Sequence, residues 1–480
     1  MQKTPFFKQA MKIWILILIL SVMWSCSFFG DRKKGQYIPV EFDLQNEVGP
    51  FEGLGANVPL SFYSRRMKVL QTFNELGIKY IRVKREDENW DDILALRAST
   101  SRLGVKWIYS LDAIPGEFLD DYGKLADVKG FAGWWAEEVD ELLYQDVPAD
   151  YIELLDTPDI LRGDSLALTS DLFNELIHVT RSELDLRNFQ NVEIVGPGLS
   201  APAFDGNLET WYMDLDQAAF DILSFWTVHS WENKLAGGQL GPALGNFFEY
   251  LERIESRKPL LVNSFATSET KFNDIQYPDP NQYDLLGNLN TFETYYYSAT
   301  FTLPYALRVY SNTLDLLKHK QVVPFIYQLY DAPADVKYKK RSWGLLDLNG
   351  GEKPVFSLLS QLMKRVPKQS TIISTLAPTQ DGLNALTFKN SDEVLVTVLN
   401  EGLESKSIQI SLRGVDGRLD IKSAENHVAL TIFAPEQGKK DIIETEELEL
   451  KPRYDGANES YVFTLMLKPQ SIFVGEFQYK

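Results

Sequence analysis

The sequence predicts a (β/α)8 barrel followed by an antiparallel β-sandwich. Between residues 37 and 366, eight short β-rich runs alternate with amphipathic helical patterns, the rhythm of a parallel sheet covered by helices. From residue 367 that rhythm stops, and alternating apolar and polar runs separated by Asn, Asp and Gly take over. A chain of 480 residues, 44% hydrophobic and 12% aromatic, holds enough apolar material for one large core and a smaller companion.

The eight barrel runs are residues 51–57, 80–84, 106–111, 151–155, 192–196, 222–228, 260–262 and 322–327. Each is rich in β-branched or aromatic residues and is followed by a longer stretch with helical spacing. Eight such units fit a closed parallel barrel, whose chemistry sits on loops at the carboxyl ends of the strands. The last helix is expected over residues 356–365, after a turn that begins near Trp343. Sandwich strands are expected at 393–399, 407–412 and 461–467, and the alternating run 40–44, ahead of the barrel, is expected to join them. The predicted organisation is a signal segment at 1–25, a tether at 26–36, the barrel at 37–366 and the sandwich at 367–480.

The formal charge is −19, from 48 basic and 67 acidic residues, which argues against a nucleic-acid partner, since phosphate backbones are held by clustered Lys and Arg. The four histidines show no metal-ligand spacing, and no cofactor is expected. Lys3, Lys8 and Lys12 precede an apolar run at 13–24 that is too short to span a bilayer and reads as a signal peptide. The run ends at Met23, Trp24, Ser25 and Cys26, which resembles a bacterial lipobox, and Cys26 is the only cysteine of the chain. Lipidation of Cys26 and attachment to the bacterial cell envelope, at the outer membrane, are the expectation; an ordinary cleaved signal with an incidental cysteine is the alternative. Met11 is a second candidate start, since it opens a complete signal of its own. Cleavage after residue 25 removes three lysines and no acid, leaving −22.

Two segments resemble the catalytic strands of the clan A glycoside hydrolases, on the family 39 and family 30 side of the clan. Residues 151–159, Tyr-Ile-Glu-Leu-Leu-Asp-Thr-Pro-Asp, are similar to that clan's acid/base strand end, with Asp156 in the asparagine slot and Thr157 in the acid/base slot. Residues 258–269, Lys-Pro-Leu-Leu-Val-Asn-Ser-Phe-Ala-Thr-Ser-Glu, are similar to the nucleophile strand, with Asn263 ahead of Ser264 in the glutamate's place. The resemblance thus implies a glycosidase fold from which both catalytic glutamates have gone. A retaining glycosidase needs two carboxyl groups about 5 Å apart, one to protonate the leaving oxygen and one to attack. Thr and Ser hydroxyls do neither unaided.

Other groups are expected at the mouth. Asp156 and Glu269 are the candidates for a displaced carboxylate, whereas Glu153, four residues before Thr157, lies about 13 Å deeper along the strand at roughly 3.3 Å per residue. Arg82 matches the arginine that the clan places beneath the nucleophile; it must find another anion, and structural pairing and ligand binding are both open. If Arg82 is available, restoring glutamates at 157 and 264 should return hydrolysis. His229, at the end of the sixth run, is expected to face the sugar. Trp231, Tyr327, Tyr330 and Trp343 follow barrel strands and could stack on pyranose rings. Trp134, Trp135 and the run 295–297 read as packing. The function implied is polysaccharide recognition in a barrel cleft without the usual hydrolysis. Alternatives are a glycosidase or transglycosidase using displaced carboxylates, and a structural part of an exopolysaccharide assembly.

Overall fold

The computed structural model describes residues 37–59, 69–84, 90–160, 166–200, 211, 213–215, 217–229, 242–265, 299–331, 343–376, 382–415, 418–430 and 442–479. The first strand, β1 (Ile38–Pro50), belongs to the carboxyl-terminal sheet, and the barrel begins only after it. The barrel strands are β2 (Leu54–Asn57), β3 (Ile78–Lys84), β4 (Lys106–Ser110), β5 (Tyr151–Glu153), β6 (Glu193–Ser200), β7 (Leu223–His229), β8 (Leu260–Phe265) and β9 (Val322–Ile326). They pair in sequence order and close through β2 and β9, where Gly55 faces Phe325 and Ala56 faces Ile326. All eight predicted runs are therefore strands of one parallel barrel.

Helices α1 (Val69–Leu76), α2 (Trp90–Thr100), α3 (Val128–Tyr144), α4 (Ser170–Leu186), α5 (Gln217–Ile222), α6 (Pro242–Arg253) and α7 (Leu303–Leu317) fall between the strands, and α8 (Pro354–Met363) follows the last. Local chemistry starts several of them. Asp127 accepts from the Gly130 N–H at 2.8 Å ahead of α3, Thr169 accepts from the Leu172 N–H at 3.3 Å ahead of α4, and a proline sits in the first turn of α7 and α8. None of the described helices is long and apolar enough to cross a membrane.

After α8 come β10 (Thr371–Thr375), β11 (Leu383–Lys389), β12 (Glu393–Asn400), β13 (Lys406–Arg413), β14 (Leu419–Leu430), β15 (Ile442–Glu447), β16 (Arg453–Asp455), β17 (Ser460–Leu467) and β18 (Ser471–Tyr479). With β1 they form one ten-stranded sheet in the order β15-β14-β18-β12-β11-β10-β1-β13-β17-β16. Its pairs are antiparallel except β1 with β13, where Ile38 to Asp43 run beside Ile408 to Arg413. Alternate residues, among them Val40, Phe42, Val396, Ile410, Phe463 and Phe473, gather into a core of their own, as in a sandwich. The other face, with Leu386, Leu395 and Ile472, joins the barrel core, and Tyr310 of α7 hydrogen-bonds Thr397 of β12 at 2.8 Å. Near the end of the barrel, Lys353 buries its ammonium against Asp331 at 2.5 Å and lies 4.4 Å above the Phe301 ring. The Gly344 N–H donates to the same carboxylate at 2.6 Å, which pins the turn leading into α8.

Candidate functional site

The barrel interior changes character along its axis. Strand alternation turns Tyr80, Arg82 and Lys84 of β3 to one face, and the same step takes Ile108 and Ser110 on β4 and Tyr151 and Glu153 on β5. The lower layers are apolar: Ile108, Val195, Leu261, Val323 and Phe325 pack with Tyr80, Tyr151 and Phe225. Above them lies a polar layer, and above that the mouth.

Arg82 is at the centre of the polar layer, 1% exposed. Its Nε donates to Glu153 Oε2 at 2.7 Å, Nη1 to Asn57 Oδ1 at 3.1 Å and Nη2 to Ser110 Oγ at 2.7 Å, while Nη2 also contacts Glu153 and lies 3.2 Å from Asp156 Oδ1. The other Glu153 oxygen accepts from Asn263 Nδ2, and the Asn263 carbonyl accepts from Asn57 Nδ2 at 2.6 Å. Glu153 itself is fully buried. Gly198 is held against it with φ of +67°, where an added Cβ would come within 2.9 Å of both Glu153 Oε1 and the Leu155 carbonyl. Burial alone would lower the basicity of Arg82, but the charges of Glu153 and Asp156 outweigh it and hold the guanidinium above its ordinary range.

One turn of strand higher, Lys84 donates to Asp156 Oδ2 at 2.7 Å and to Asp112. Burial pulls its pKa down, yet Asp156 and Asp112 together carry it above the usual lysine range. Asp156 is thus held from both sides, Oδ1 by Arg82 and Oδ2 by Lys84, and is 3% exposed. Asp112, whose side chain is about half exposed, is the carboxylate of this group that reaches solvent. Across the cluster, three carboxylates face two cations.

Thr157 follows directly, buried, with φ of +55°. A β-branched residue in the left-handed region carries strain of order 1–3 kcal/mol and is retained where its surroundings fix it. Here the Thr157 N–H donates to the Gly198 carbonyl at 3.0 Å and its hydroxyl to the Asp156 carbonyl at 2.7 Å. Ser264 lies in β8 directly after Asn263, and His229 is the last residue of β7, its backbone opposite Ser200. Tyr327 follows β9 and is half-buried, with its ring edge-on to Trp343 at 5.8 Å. Trp231, Glu269 and Cys26 lie outside the described residues.

This geometry bears on three of the sequence readings. Of the two roles left open for Arg82, structural pairing is the one seen: its anion is Glu153, which the sequence reading weighs only as an acid for the mouth. Tyr330 does not line the cleft: it is fully buried and its hydroxyl donates to the Pro59 carbonyl. Asn263 and Asp156, expected to bind ligand, also make contacts within the polar layer: Asn263 donates to Glu153, and Asp156 pairs with Arg82 and Lys84. Asn57, Lys84, Ser110 and Asp112 are residues of the cluster that the sequence does not single out. The alternation of β3, which puts two cations on the inner face of one strand, is the signal that pointed to them.

No protein-family model matches the sequence, and a comparison with curated proteins finds no match. Solved structures do match. A glycoside hydrolase family 30 subfamily 8 xylanase from Clostridium acetobutylicum superposes with a TM-score of 0.62 at 11% identity, over 92% of this chain and 99% of that one. A family 39 enzyme from Xanthomonas axonopodis pv. citri gives 0.55 at 12% identity, over 94% and 100%. A conserved exported protein from Bacteroides fragilis gives 0.58 at 11% identity, over 91% and 99%. At such identities the likeness is one of fold, and the chain has the barrel-plus-β-domain fold of the family 30 and family 39 glycoside hydrolases.

Proposed function

We propose that the protein is a lipid-anchored, polysaccharide-binding member of this fold that has given up the usual retaining hydrolysis. The observation that carries the reading is the saturation of Arg82. The group expected beneath a nucleophile is already closed over by Glu153, Asp156, Ser110 and Asn57, and the acid/base slot holds a buried threonine. Asp156 does not serve as a displaced acid in this reading, because both of its oxygens are engaged by cations. What remains at the mouth is suited to holding a sugar: the Tyr327 and Trp343 rings for stacking, and the polar edges of Asp112 and Lys84 for hydroxyls.

The test is a glycan array probed with the chain from Ser27 onward, followed by product analysis on any glycan retained. Binding without product is the expected result; binding with product would favour the displaced-carboxylate enzyme, and no binding the structural role. Alanine at Trp231 and Trp343 together is expected to cost about 2 kcal/mol or more of affinity. Unchanged affinity would remove the mouth as the binding site.

The anchor is part of the same proposal and rests on the lone Cys26 at the end of the apolar run. Metabolic labelling with palmitate is expected to mark the wild type, and Cys26→Ser is expected to move the protein from the membrane fraction of the envelope to the soluble one. Retention of the variant in the membrane, with no label on the wild type, would refute it.

A further inference from the structure

A groove of about 660 Å³ runs down the outside of the barrel between the neighbouring helices α3 and α4. Its upper end is formed by Glu117 and Phe118, in the loop after β4, and its wall by Trp134. Trp134 is half-exposed and fixed: its ring stacks on Phe131 at 5.9 Å and meets Trp135 edge-on at 5.3 Å, and Phe131 in turn packs on Phe118 at 5.6 Å. Trp135 is the packing residue that the sequence predicts, 1% exposed, with its indole N–H on the Leu154 carbonyl at 3.3 Å. Trp134 packs on the core as well, as the sequence predicts, but also lines the groove with part of its ring.

Gly133, beside it, has no structural reason to be glycine. It sits inside a 17-residue helix, where glycine is the poorest choice short of proline, and a Cβ built on it meets nothing within 4 Å. Gly130, one turn earlier, is different, since its Cβ would strike the capping Asp127 carboxylate at 2.3 Å. The effect of glycine at 133 is to leave the groove open next to the Trp134 ring. The charged groups that line it are Glu117, Asp127, Glu137 and Glu183 against Lys129 alone. Asp127 is engaged in capping α3, and Glu137 pairs with Arg187 at 3.2 Å on the surface.

We propose that this groove is a second carbohydrate site, separate from the barrel mouth, and that it takes a pyranose oligosaccharide bearing free amines. A partly buried indole, held rigid from behind and with part of its ring in the groove, suits the C–H face of a pyranose and costs little ordering on binding. The excess of carboxylates complements ammonium groups spaced along the sugar chain and disfavours an anionic glycan. The site does not depend on what the mouth binds.

Isothermal titration of the full chain with a β-1,4-linked glucosamine hexamer, and with cellohexaose as its amine-free counterpart, tests the proposal. The hexamer with amines is expected to bind at least about tenfold more tightly at low salt, with the advantage lost at high ionic strength where exposed charges are screened. Gly133→Gln fills the groove with a better helix former, so its melting temperature is expected to stay at or above that of the wild type while affinity falls at least about tenfold. Trp134→Ala should lose a similar amount, Trp134→Phe should retain most of the binding, and Tyr144→Ala, an exposed aromatic of the same helix outside the groove, should leave it unchanged. Absence of glucosamine-hexamer binding, equal binding of cellohexaose, or undiminished affinity in folded Gly133→Gln would each overturn it.

Discussion

Glu153→Ala is expected to lower the free energy of unfolding by about 3–5 kcal/mol, the range seen when one partner of a buried ion pair is removed. The side chain is fully buried, accepts from Arg82 and Ser110 through one oxygen and from Asn263 through the other. Its removal strands three donors and leaves the Arg82 guanidinium with Asp156 as its carboxylate and only the neutral oxygens of Asn57 and Ser110 besides. Glu153→Gln keeps the volume but turns an amide N–H toward either Arg82 or Asn263, both donors, and should recover only part of the loss. Replacing the pair together, Glu153→Leu with Arg82→Met, removes the desolvation cost along with the attraction and should be milder than Glu153→Ala. Since a domain is commonly stable by only about 5–15 kcal/mol, the single variant should show a clearly lowered guanidinium midpoint and poor accumulation. A change below about 1 kcal/mol would mean that the charge network is ornamental.

The second large effect is catalytic. Wild-type protein is expected to release no sugar at an ordinary enzymatic rate of about 1 per second or more from the glycan it binds. The missing general acid alone is worth about 10²–10⁴ in rate. Thr157→Glu with Ser264→Glu, which the sequence suggests would restore activity, is now expected to fail, because it adds two anions to a mouth where carboxylates already outnumber cations. Adding Asp156→Asn frees Arg82 and Lys84 from one competitor, and the triple variant is the one expected to gain hydrolysis. Should the wild type already turn over at such a rate and lose it on Asp156→Asn or Glu269→Gln, a relocated carboxylate does the chemistry.

Much of the fold is legible in the sequence because barrel strands announce themselves as short apolar runs, each followed by a helical rhythm. Strand ends are less so. The fourth run reads as residues 151–155, yet β5 stops at Glu153, since the chain must turn to bring Asp156 onto Lys84. The fifth reads as ending at Gly196, whereas β6 continues through Pro197 and Gly198 to Ser200 with shifts in register. At the site, motif positions identified Arg82, Asp156 and Thr157, but their pairing was hidden. What a single strand cannot reveal is the stagger between β3 and β5, which sets Glu153 level with Arg82. Tyr330 is hidden for a related reason: its backbone bridges Leu346, and its hydroxyl meets the Pro59 carbonyl, neither of which its own strand reveals.

The place of β1 bears on how the molecule is made. Synthesised first, it is completed between β10 and β13, so its nearer partner, Thr371, emerges 321 positions after Pro50. At about 5–20 residues per second, the ribosome takes on the order of 16–64 s to supply that neighbour. The next strand, β2, is in the same position, because it closes the barrel against β9. Both layers are thus sealed by an early strand meeting partners made hundreds of positions later. The barrel cannot close before β9 is made, nor the sheet around β1 before β13, and residues 367–480 expressed alone would present two open ladder edges where β1 belongs.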